Sequence, residues 1–407
     1  MKKNKIFVQI ASYRDPELLP TLRDLIDKAK NPEHLHICIA HQFDKDDEWD
    51  NLNEFKNDNK FTIIEIPYQD SLGACWARNQ IQQHYNDEEF TFQLDSHHRF
   101  VENWDTELKK MYRSLVKKGH KKPLITSYIP SYNPKNDPDS RVNIPWGMSF
   151  DRFTPEGVVF FLPYYLDKKP TEPVPARFYS AHFAFTTGKF CIEVPHDPKL
   201  YFHGEEISIA VRAYTHGYDL FHSHKLIAWH EYTREGRKKN WDDHTDWGKW
   251  NTSSHSRMRT LLGVDGVCSP CNRNSFKGYN IGEERTIAQY EEYSGIRFKD
   301  RAIKQSTLNN ELPGINDGEQ YNPKFKHAID LYAPDFVEND YTFAAVILEN
   351  EKGEALYRKD DINFQRHLSK KDWFVIWVEA NVAKPHKWIV WAHSESKGWA
   401  EKKETLL

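Results

Sequence analysis

The sequence predicts an α/β protein with a Rossmann-like, mostly parallel sheet, followed by a small antiparallel β domain. Strand and helix patterns alternate along the first hundred residues, which is the element order of parallel α/β folds. From about residue 332, short aromatic and β-branched runs are instead separated by polar turns, which is typical of a β-sandwich. We therefore predict a large domain at 1–305, a linker at 306–331 and a β-rich domain at 332–407.

Hydrophobic patterning predicts the elements of the large domain in order. Continuous apolar runs indicate buried strands, which we place at 6–11, 35–40, 61–66, 90–94 and 124–129. Apolar residues at helical spacing indicate helices, which we place at 16–30, 72–85 and 103–115. Because ligands bind beyond the carboxyl ends of parallel strands, the functional site is expected at that edge of the sheet.

The second part of this domain has less regular patterns. A helix is predicted at 207–216, ending at Gly217, with strands at 219–221 and 227–232 and a closing helical segment at 289–303. The polar segment 237–252 predicts a surface loop. Its three tryptophans either stack on a sugar or base, or form a local cluster; they are Trp241, Trp247 and Trp250.

Composition narrows the class of protein. The chain has 407 residues and a net charge of −4, which argues against a dedicated nucleic-acid-binding protein. No stretch of about 18 apolar residues and no secretory leader pattern is present, so we expect a soluble, cytoplasmic protein without a membrane span. Five cysteines argue against a disulfide framework, and Cys268 and Cys271 have a spacing that suits either a metal site or two free thiols.

The residues after the first predicted strand exclude two nucleotide-binding classes. This strand runs into Ser12, Tyr13, Arg14 and Asp15 rather than into a G-x-G-x-x-G turn, which disfavours a dinucleotide-dependent dehydrogenase. A G-x-x-x-x-G-K-[ST] loop is also missing from the sequence, which excludes a P-loop NTPase.

The motif Asp95-Ser96-His97 ends the fourth predicted strand. In an extended backbone, residues two apart point to the same side, so the carboxylate and the imidazole would lie together. This pair suits Mn²⁺ or a similar divalent ion, although the motif taken alone favours a solvated strand end. His230, at the end of a later strand, is our third candidate ligand, with a buried structural histidine as the alternative.

The order and spacing of several motifs resemble a GT-A glycosyltransferase. The resemblance is to the GlcNAc-transferase family that includes cytoplasmic polypeptide hydroxyproline α-N-acetylglucosaminyltransferases, with a D-x-H motif as in the polypeptide GalNAc-transferases. It covers about residues 5–300 and is carried by Ile10-Ala-Ser-Tyr-Arg-Asp15, Ala74-Cys-Trp-Ala-Arg78, Asp95-Ser-His97, Glu193-Val-Pro-His-Asp-Pro198 and Gly204-Glu-Glu206. It implies a UDP-sugar donor, most of all UDP-GlcNAc, with Mn²⁺ or Mg²⁺ as cofactor and retention of anomeric configuration.

The resemblance also implies roles for individual residues. Nucleotide-sugar contacts are expected from Ser12, Tyr13, Arg14, Gln42, Arg78 and Asp95, with Asp44 a weaker candidate. Arg78 would stabilise the departing diphosphate. Glu205 and Glu206 are candidate catalytic residues that contact the donor sugar or the acceptor, with His203 beside them, although acids at a helix start are also favoured by the helix dipole alone.

Several alternatives stay open at this point. A GT-A enzyme could use another UDP-sugar or invert configuration, since a few pocket contacts decide sugar choice. A non-catalytic carbohydrate-binding or scaffold protein is a second alternative. A metal-dependent hydrolase is a third, and would need further acids such as Asp46, Asp47, Asp242 and Asp243. The acceptor, whether protein, glycan or modified nucleobase, and the oligomeric state are not predicted.

Overall fold

The computed structural model confirms an α/β chain with a large sheet followed by antiparallel β structure. It describes residues 2–166, 168–233, 235–267, 276–314, 318–369 and 372–407. Within these ranges, no helix combines the length and the apolar character needed to cross a bilayer.

The N-terminal part alternates strands and helices as predicted. Its helices bury one apolar face; in the first helix this face includes Leu18, Leu22 and Leu25. The elements are β1 (Lys2–Tyr13), α1 (Leu18–Asp27), β2 (Leu35–Phe43), β3 (Phe61–Pro67), α2 (Ala74–Gln82), β4 (Glu88–Asp95), β5 (His98–Phe100), α3 (Trp104–Lys117) and β6 (Pro123–Thr126).

The second part of the large domain mixes short strands with helices. Its elements are β7 (Trp146–Phe153), β8 (Val159–Tyr165), β9 (Val174–Pro175), β10 (Phe183–Thr187), α4 (Phe190–Glu193), α5 (Glu205–Thr215), β11 (Asp219–His222), β12 (Ala228–His230), α6 (Asn240–Asp243), α7 (Trp247–Leu262), α8 (Ile287–Ser294), β13 (Ile296–Arg297), β14 (Ala302–Ile303) and α9 (Gln305–Leu308).

Two predictions for this part are wrong. The segment 237–252, predicted as a loop, contains α6 and the first turns of α7, because the buried apolar residues of α7, such as Met258 and Leu262, come only in its later turns. The closing helix predicted at 289–303 ends at Ser294. Gly295, with φ of +70°, terminates it in the left-handed conformation, and β13 and β14 follow.

The main sheet has eight strands in the order β3-β2-β1-β4-β10-β6-β11-β9. Strands β3, β2, β1 and β4 pair in parallel, whereas β10 runs antiparallel between β4 and β6. The register sets Ala11 beside Asp95 and Tyr13 beside Gln42. The carboxyl ends of β1, β2 and β4 therefore meet at one edge, where the sequence predicts the site.

A short two-stranded ribbon completes this edge. Strand β12 pairs antiparallel with β5, and this register sets His230 opposite His98. Because His98 follows the Asp95-Ser96-His97 motif directly, the pairing carries His230 from a distant part of the sequence to the end of β4.

The C-terminal β structure has its own apolar core. Strand β15 (Asn322–Pro323) still pairs with β14 of the preceding part. The elements of the C-terminal structure are β16 (Phe325–Tyr332), β17 (Tyr341–Glu349), β18 (Ala355–Asp361), α10 (Phe364–Leu368), β19 (Trp373–Ala380), β20 (Lys387–Ser394), β21 (Gly398–Trp399) and β22 (Lys403–Leu406). Strands β16 and β19 form one ribbon, and β18-β17-β20-β21 form a sheet with β22 on β20. Strand β16 starts inside the segment 306–331, which the sequence analysis gives as a linker. The division of the chain into domains stays a prediction.

Candidate active site

Three potential metal ligands converge at the carboxyl edge of the sheet. The Nε2 atom of His230 lies 3.4 Å from Oδ2 of Asp95, and Nε2 of His97 lies 3.7 Å from the same oxygen. The ligand atoms of these three residues all lie within 4.8 Å of one another. Both histidines are buried, and the carboxylate is partly exposed. The structure thus brings together the three ligands proposed from the sequence.

A second carboxylate orients one of these histidines. Asp15 accepts a hydrogen bond of 2.7 Å from Nδ1 of His97 and another of 2.6 Å from the Ser96 hydroxyl. Burial opposes ionisation of Asp15, but His97, Arg237 and Ser96 together outweigh it and lower its pKa. With the Nδ1 proton held by Asp15, the lone pair of His97 Nε2 is available for a cation.

The electrostatics of the cluster also suit a divalent cation. Burial disfavours the charged form of Asp95, but the hydrogen bond from His230 and the charge of Arg78 hold the pKa of this carboxyl well below its usual value. Burial lowers the pKa of His230 far below its usual value, so this imidazole is neutral. One carboxylate oxygen and two imidazole nitrogens form a donor set that Mn²⁺ accepts.

Arg78 connects the cluster to the start of α5. Its Nη2 donates to Oδ1 of Asp95 at 2.8 Å, and its Nη1 donates to Oε1 of Glu205 at 2.5 Å. The thiol of Cys75 donates to the other oxygen of Glu205 at 2.6 Å. The guanidinium is buried, so its orientation is fixed by these two carboxylates.

A cleft opens over the cluster, and its rim is basic. Three consecutive cationic residues, Arg237, Lys238 and Lys239, line it after β12. Arg237 donates to Oδ2 of Asp15 at 3.0 Å and pairs with Glu231 at 2.5 Å. A basic rim beside a cation site suits a ligand with several negative charges, such as a diphosphate.

Comparison with protein families decides the class of this chain. The model of the family described as "Glycosyltransferase (GlcNAc)" matches residues 5–59 and 50–300. The chain belongs to this GlcNAc glycosyltransferase family. The match ends before the C-terminal β structure, and a search of curated proteins found no match.

Several solved structures resemble this chain, all of them at low sequence identity. GalNAc-T7 with UDP, GalNAc and Mn²⁺ shares 14% identity at a TM-score of 0.47, covering 71% of this chain and 54% of that chain. Staphylococcus aureus TarS shares 10% identity at a TM-score of 0.37, and the match covers 99% of this chain and 77% of the TarS chain. A third structure is the mannosyltransferase PcManGT from Pyrobaculum calidifontis in complex with GDP-Man and Mn²⁺. It shares 11% identity at a TM-score of 0.37, and the match covers 57% of this chain and 58% of that chain. The chain thus spans about half the length of the GalNAc-T7 structure.

Of the six nucleotide-binding residues proposed from the sequence, four line the cleft and two do not. Tyr13 and Gln42 line the cleft, as do Arg78 and Asp95. Ser12 is completely buried beneath them. The last of the group, Arg14, lies among carboxylates, with ion pairs to Asp44 at 3.1 Å, Asp47 at 2.9 Å and Asp243 at 3.2 Å.

The two candidate catalytic acids lie behind the cleft. Glu205 holds Arg78, and Glu206 accepts hydrogen bonds of 2.9 Å from both the Tyr128 hydroxyl and the backbone N–H of Ala181. Burial and the neighbouring Glu205 raise the pKa of Glu206 to about 7. Among the described residues that line the cleft, neither acid is present. This geometry favours supporting roles, and their assignment as catalytic residues stays a prediction.

Sequence reasoning missed part of the site. It quoted Asp15 in a motif without giving it a function, and it placed Arg237 in a surface loop. It also missed Tyr201 and Phe202, which line the cleft together with Asn240 and Trp241. The run of three basic residues at 237–239 is the one local signal that pointed to a polyanion.

Two remaining predictions concern tryptophans and cysteines. Trp250 packs on Tyr201 and His244 at ring distances of 5.7 and 5.4 Å, as a local cluster would. Trp241 instead lines the cleft. Cys268 and Cys271 lie outside the described residues, so their role stays a prediction.

Proposed function

We propose that this protein is a metal-dependent, retaining glycosyltransferase that transfers GlcNAc from UDP-GlcNAc to a hydroxyl acceptor. The observation that carries the proposal is the convergence of Asp95, His97 and His230 beneath a basic cleft, in a chain of the GlcNAc glycosyltransferase family. Tyr13 and Gln42, at the ends of neighbouring strands, would contact the uridine.

The proposed chemistry uses the cleft to stabilise a leaving diphosphate. As the bond between the anomeric carbon and the phosphate oxygen breaks, negative charge grows on UDP. A cation held by Asp95, His97 and His230 would neutralise part of this charge. Arg78, fixed by Glu205, and the basic rim at 237–239 would stabilise the remainder through charge-assisted hydrogen bonds.

Retention of anomeric configuration is supported by the contacts of the cleft carboxylates, which leave none of them in the role of a nucleophile. Among the described cleft residues, the carboxylates are those of Asp15 and Asp95, and both contact the metal-binding histidines. A front-face reaction needs no protein nucleophile: the acceptor oxygen bonds to the anomeric carbon on the side from which UDP departs. The acceptor proton then passes to the leaving phosphate.

We further propose that the enzyme acts in the cytoplasm. Cys38, Cys75 and Cys191 are buried free thiols, which suits a reducing compartment. UDP-sugars as donors agree with this location.

The deciding experiment incubates the purified protein with UDP-GlcNAc, UDP-GlcNAc analogues, UDP-glucose, UDP-GalNAc and GDP-mannose, each with Mn²⁺, and measures the released nucleoside diphosphate. We expect release from UDP-GlcNAc that EDTA abolishes and added Mn²⁺ restores. Faster release from another UDP-sugar would revise the donor. Undiminished release in EDTA would refute the metal assignment, and no release from any donor would favour a non-catalytic carbohydrate-binding protein.

A further inference from the structure

An exposed aromatic surface lies on the ribbon of β16 and β19. The outward side chains of β19 are Trp373, Val375, Trp377 and Glu379, and the two tryptophans expose 66% and 54% of their surface. Tyr332 of β16 lies opposite Trp373, with the two rings 5.2 Å apart. Val375 lies between the two tryptophans on β19, and Asp330 of β16 lies opposite Val375, so a carboxylate is beside this position. We call Tyr332, Trp373, Val375 and Trp377 the aromatic platform.

One ring of the platform, that of Trp377, contacts the large domain. Arg152 of β7 lies over the Trp377 ring at 5.3 Å, and Lys326 of β16 lies over it at 5.4 Å. Lys326 also pairs with Asp151 at 2.5 Å, which ties β16 to β7. Contacts with these two cations restrict the orientation of the Trp377 side chain, so it has little conformational entropy left to lose when a ligand binds.

Ring contacts continue from the platform to the cleft. Arg152 also lies over Phe160 at 4.6 Å, and the Phe160 ring is 4.7 Å from that of His203. His203 is 4.7 Å from Phe202, which is 5.5 Å from Trp241. Phe202 and Trp241 line the cleft. Partly exposed rings and one guanidinium therefore form a continuous track from the platform to the candidate active site, with His203 exposed at its centre.

The size of the platform favours a small ligand over a second copy of the chain. Taking about 200–250 Å² for a fully exposed aromatic side chain, the platform exposes roughly 450 Å². A stable protein interface buries about 800 Å² on each partner, so the platform alone is too small for a dimer contact.

The chemistry of the track favours a saccharide. The C–H bonds on one face of a pyranose are weakly positive and pack on the negative face of an aromatic ring. Hydroxyls at the ring edge need polar partners, which Asp330, His203 and Arg152 supply along the path.

We propose that the acceptor is an oligosaccharide that lies along this track, with its reactive end at Trp241 and its far end on Trp373 and Trp377. This inference rests on the proposed function, because it takes the donor to bind at the metal cluster. It assigns the C-terminal β structure the task of holding the acceptor.

The first test measures binding without donor or metal. The full-length protein is applied to an array of immobilised glucan, mannan, galactan and chitin fragments of two to six sugars, beside peptides that contain serine, threonine and hydroxyproline. We expect binding to an oligosaccharide class. Titration of the best soluble fragment should then show affinity at least 10-fold lower for Trp373→Ala and Trp377→Ala, and lower by no more than about threefold for Trp377→Phe.

Controls separate binding from folding and from donor chemistry. Trp399→Ala removes another exposed indole from the same β structure but from the other sheet, and should leave saccharide affinity unchanged. Thermal unfolding of each variant reports on its fold. Release of UDP without acceptor should be the same in Trp373→Ala and wild type, whereas KM for the bound oligosaccharide should rise with kcat unchanged.

Each outcome decides the inference. Binding to peptides alone, to no oligosaccharide, or with equal affinity in wild type and both alanine variants would overturn it while leaving the proposed donor reaction intact. A dimer in sedimentation velocity that Trp373→Ala dissolves would also overturn it. Saccharide binding by a protein that releases no nucleotide from any donor would instead refute the proposed function, and with it the role of the saccharide as acceptor.

Discussion

The carboxylate of Asp15 accepts a 2.7 Å hydrogen bond from Nδ1 of His97, while Nε2 of the same ring faces Asp95. The two residues lie 82 positions apart in the sequence and meet because β1 and β4 are parallel neighbours in the sheet. The hydrogen bond fixes the tautomer and the orientation of the imidazole. A carboxylate in this position raises the basicity of a metal-binding histidine.

Replacing Asp15 should therefore weaken metal binding more than catalysis. We expect Asp15→Asn to lower the affinity for Mn²⁺ by about 10–100-fold, with UDP release largely restored at saturating Mn²⁺. Mn²⁺ titration followed by electron paramagnetic resonance measures this change. Asp58→Asn removes a surface carboxylate that pairs with Lys60 and serves as control. Unchanged Mn²⁺ affinity in Asp15→Asn would contradict the orienting role.

Removing a metal ligand should have a larger effect that excess metal does not repair. We expect His97→Ala and His230→Ala to lose Mn²⁺ binding and to lower UDP release by at least about 100-fold, because two ligands hold the ion poorly. His120→Ala, a partly exposed histidine that pairs with Asp219, is the control. If His230→Ala binds Mn²⁺ as tightly as wild type, the ion is held without this side chain.

Local patterns explain how far sequence reasoning reached. The strands around Asp95 were predictable because continuous apolar runs define buried strands, and the i, i+2 spacing places Asp95 and His97 on one side. Contacts made by irregular segments have no such period. Arg237 meets Asp15 across 222 positions, from a segment that the sequence presents only as polar. The site was therefore predictable where strand ends build it, and not where loops close over it.

Arg78 lies between two carboxylates, so its removal should destabilise the fold. Arg78→Met leaves Glu205 and Asp95 without their shared cation, and we expect the free energy of unfolding to fall by about 3–5 kcal/mol. Arg78→Met combined with Glu205→Gln should recover part of this loss. Urea denaturation measures both. Arg23→Met breaks the exposed surface pair with Glu54 and should leave the free energy of unfolding nearly unchanged. Equal losses in the two single variants would show that burial does not amplify the Arg78 contacts.

The basic rim should govern donor affinity through long-range charge. We expect Lys238→Ala combined with Lys239→Ala to raise KM for UDP-GlcNAc by about 5–20-fold at low salt, with a smaller effect at 0.5 M NaCl, because salt screens charge. Steady-state kinetics at both ionic strengths test this. Lys117→Ala combined with Lys121→Ala removes the same charge from an exposed surface and should leave KM unchanged. A KM shift of equal size in the control pair would assign the effect to net charge.

Glu206 should make stability depend on pH in the neutral range. Burial and the charge of Glu205 raise its pKa to about 7 in the folded protein, against about 4.5 for an ordinary glutamate. A raised pKa in a carboxyl means that the folded state binds a proton more tightly than the unfolded state. Its stabilising contribution is therefore complete below about pH 4.5 and is lost as the pH rises through 7.

Glu206→Gln should remove this dependence, since glutamine keeps the acceptor for the Ala181 N–H and stays neutral. Between pH 5 and pH 8 we expect the wild type to lose about 2–3 kcal/mol of unfolding free energy relative to Glu206→Gln. Urea denaturation at both pH values measures the difference, and Glu283→Gln, an exposed glutamate, should follow the wild type. Parallel pH profiles for wild type and Glu206→Gln would mean that Glu206 is ionised in the folded protein at pH 5, with Tyr128 and Ala181 stabilising the carboxylate rather than the neutral acid.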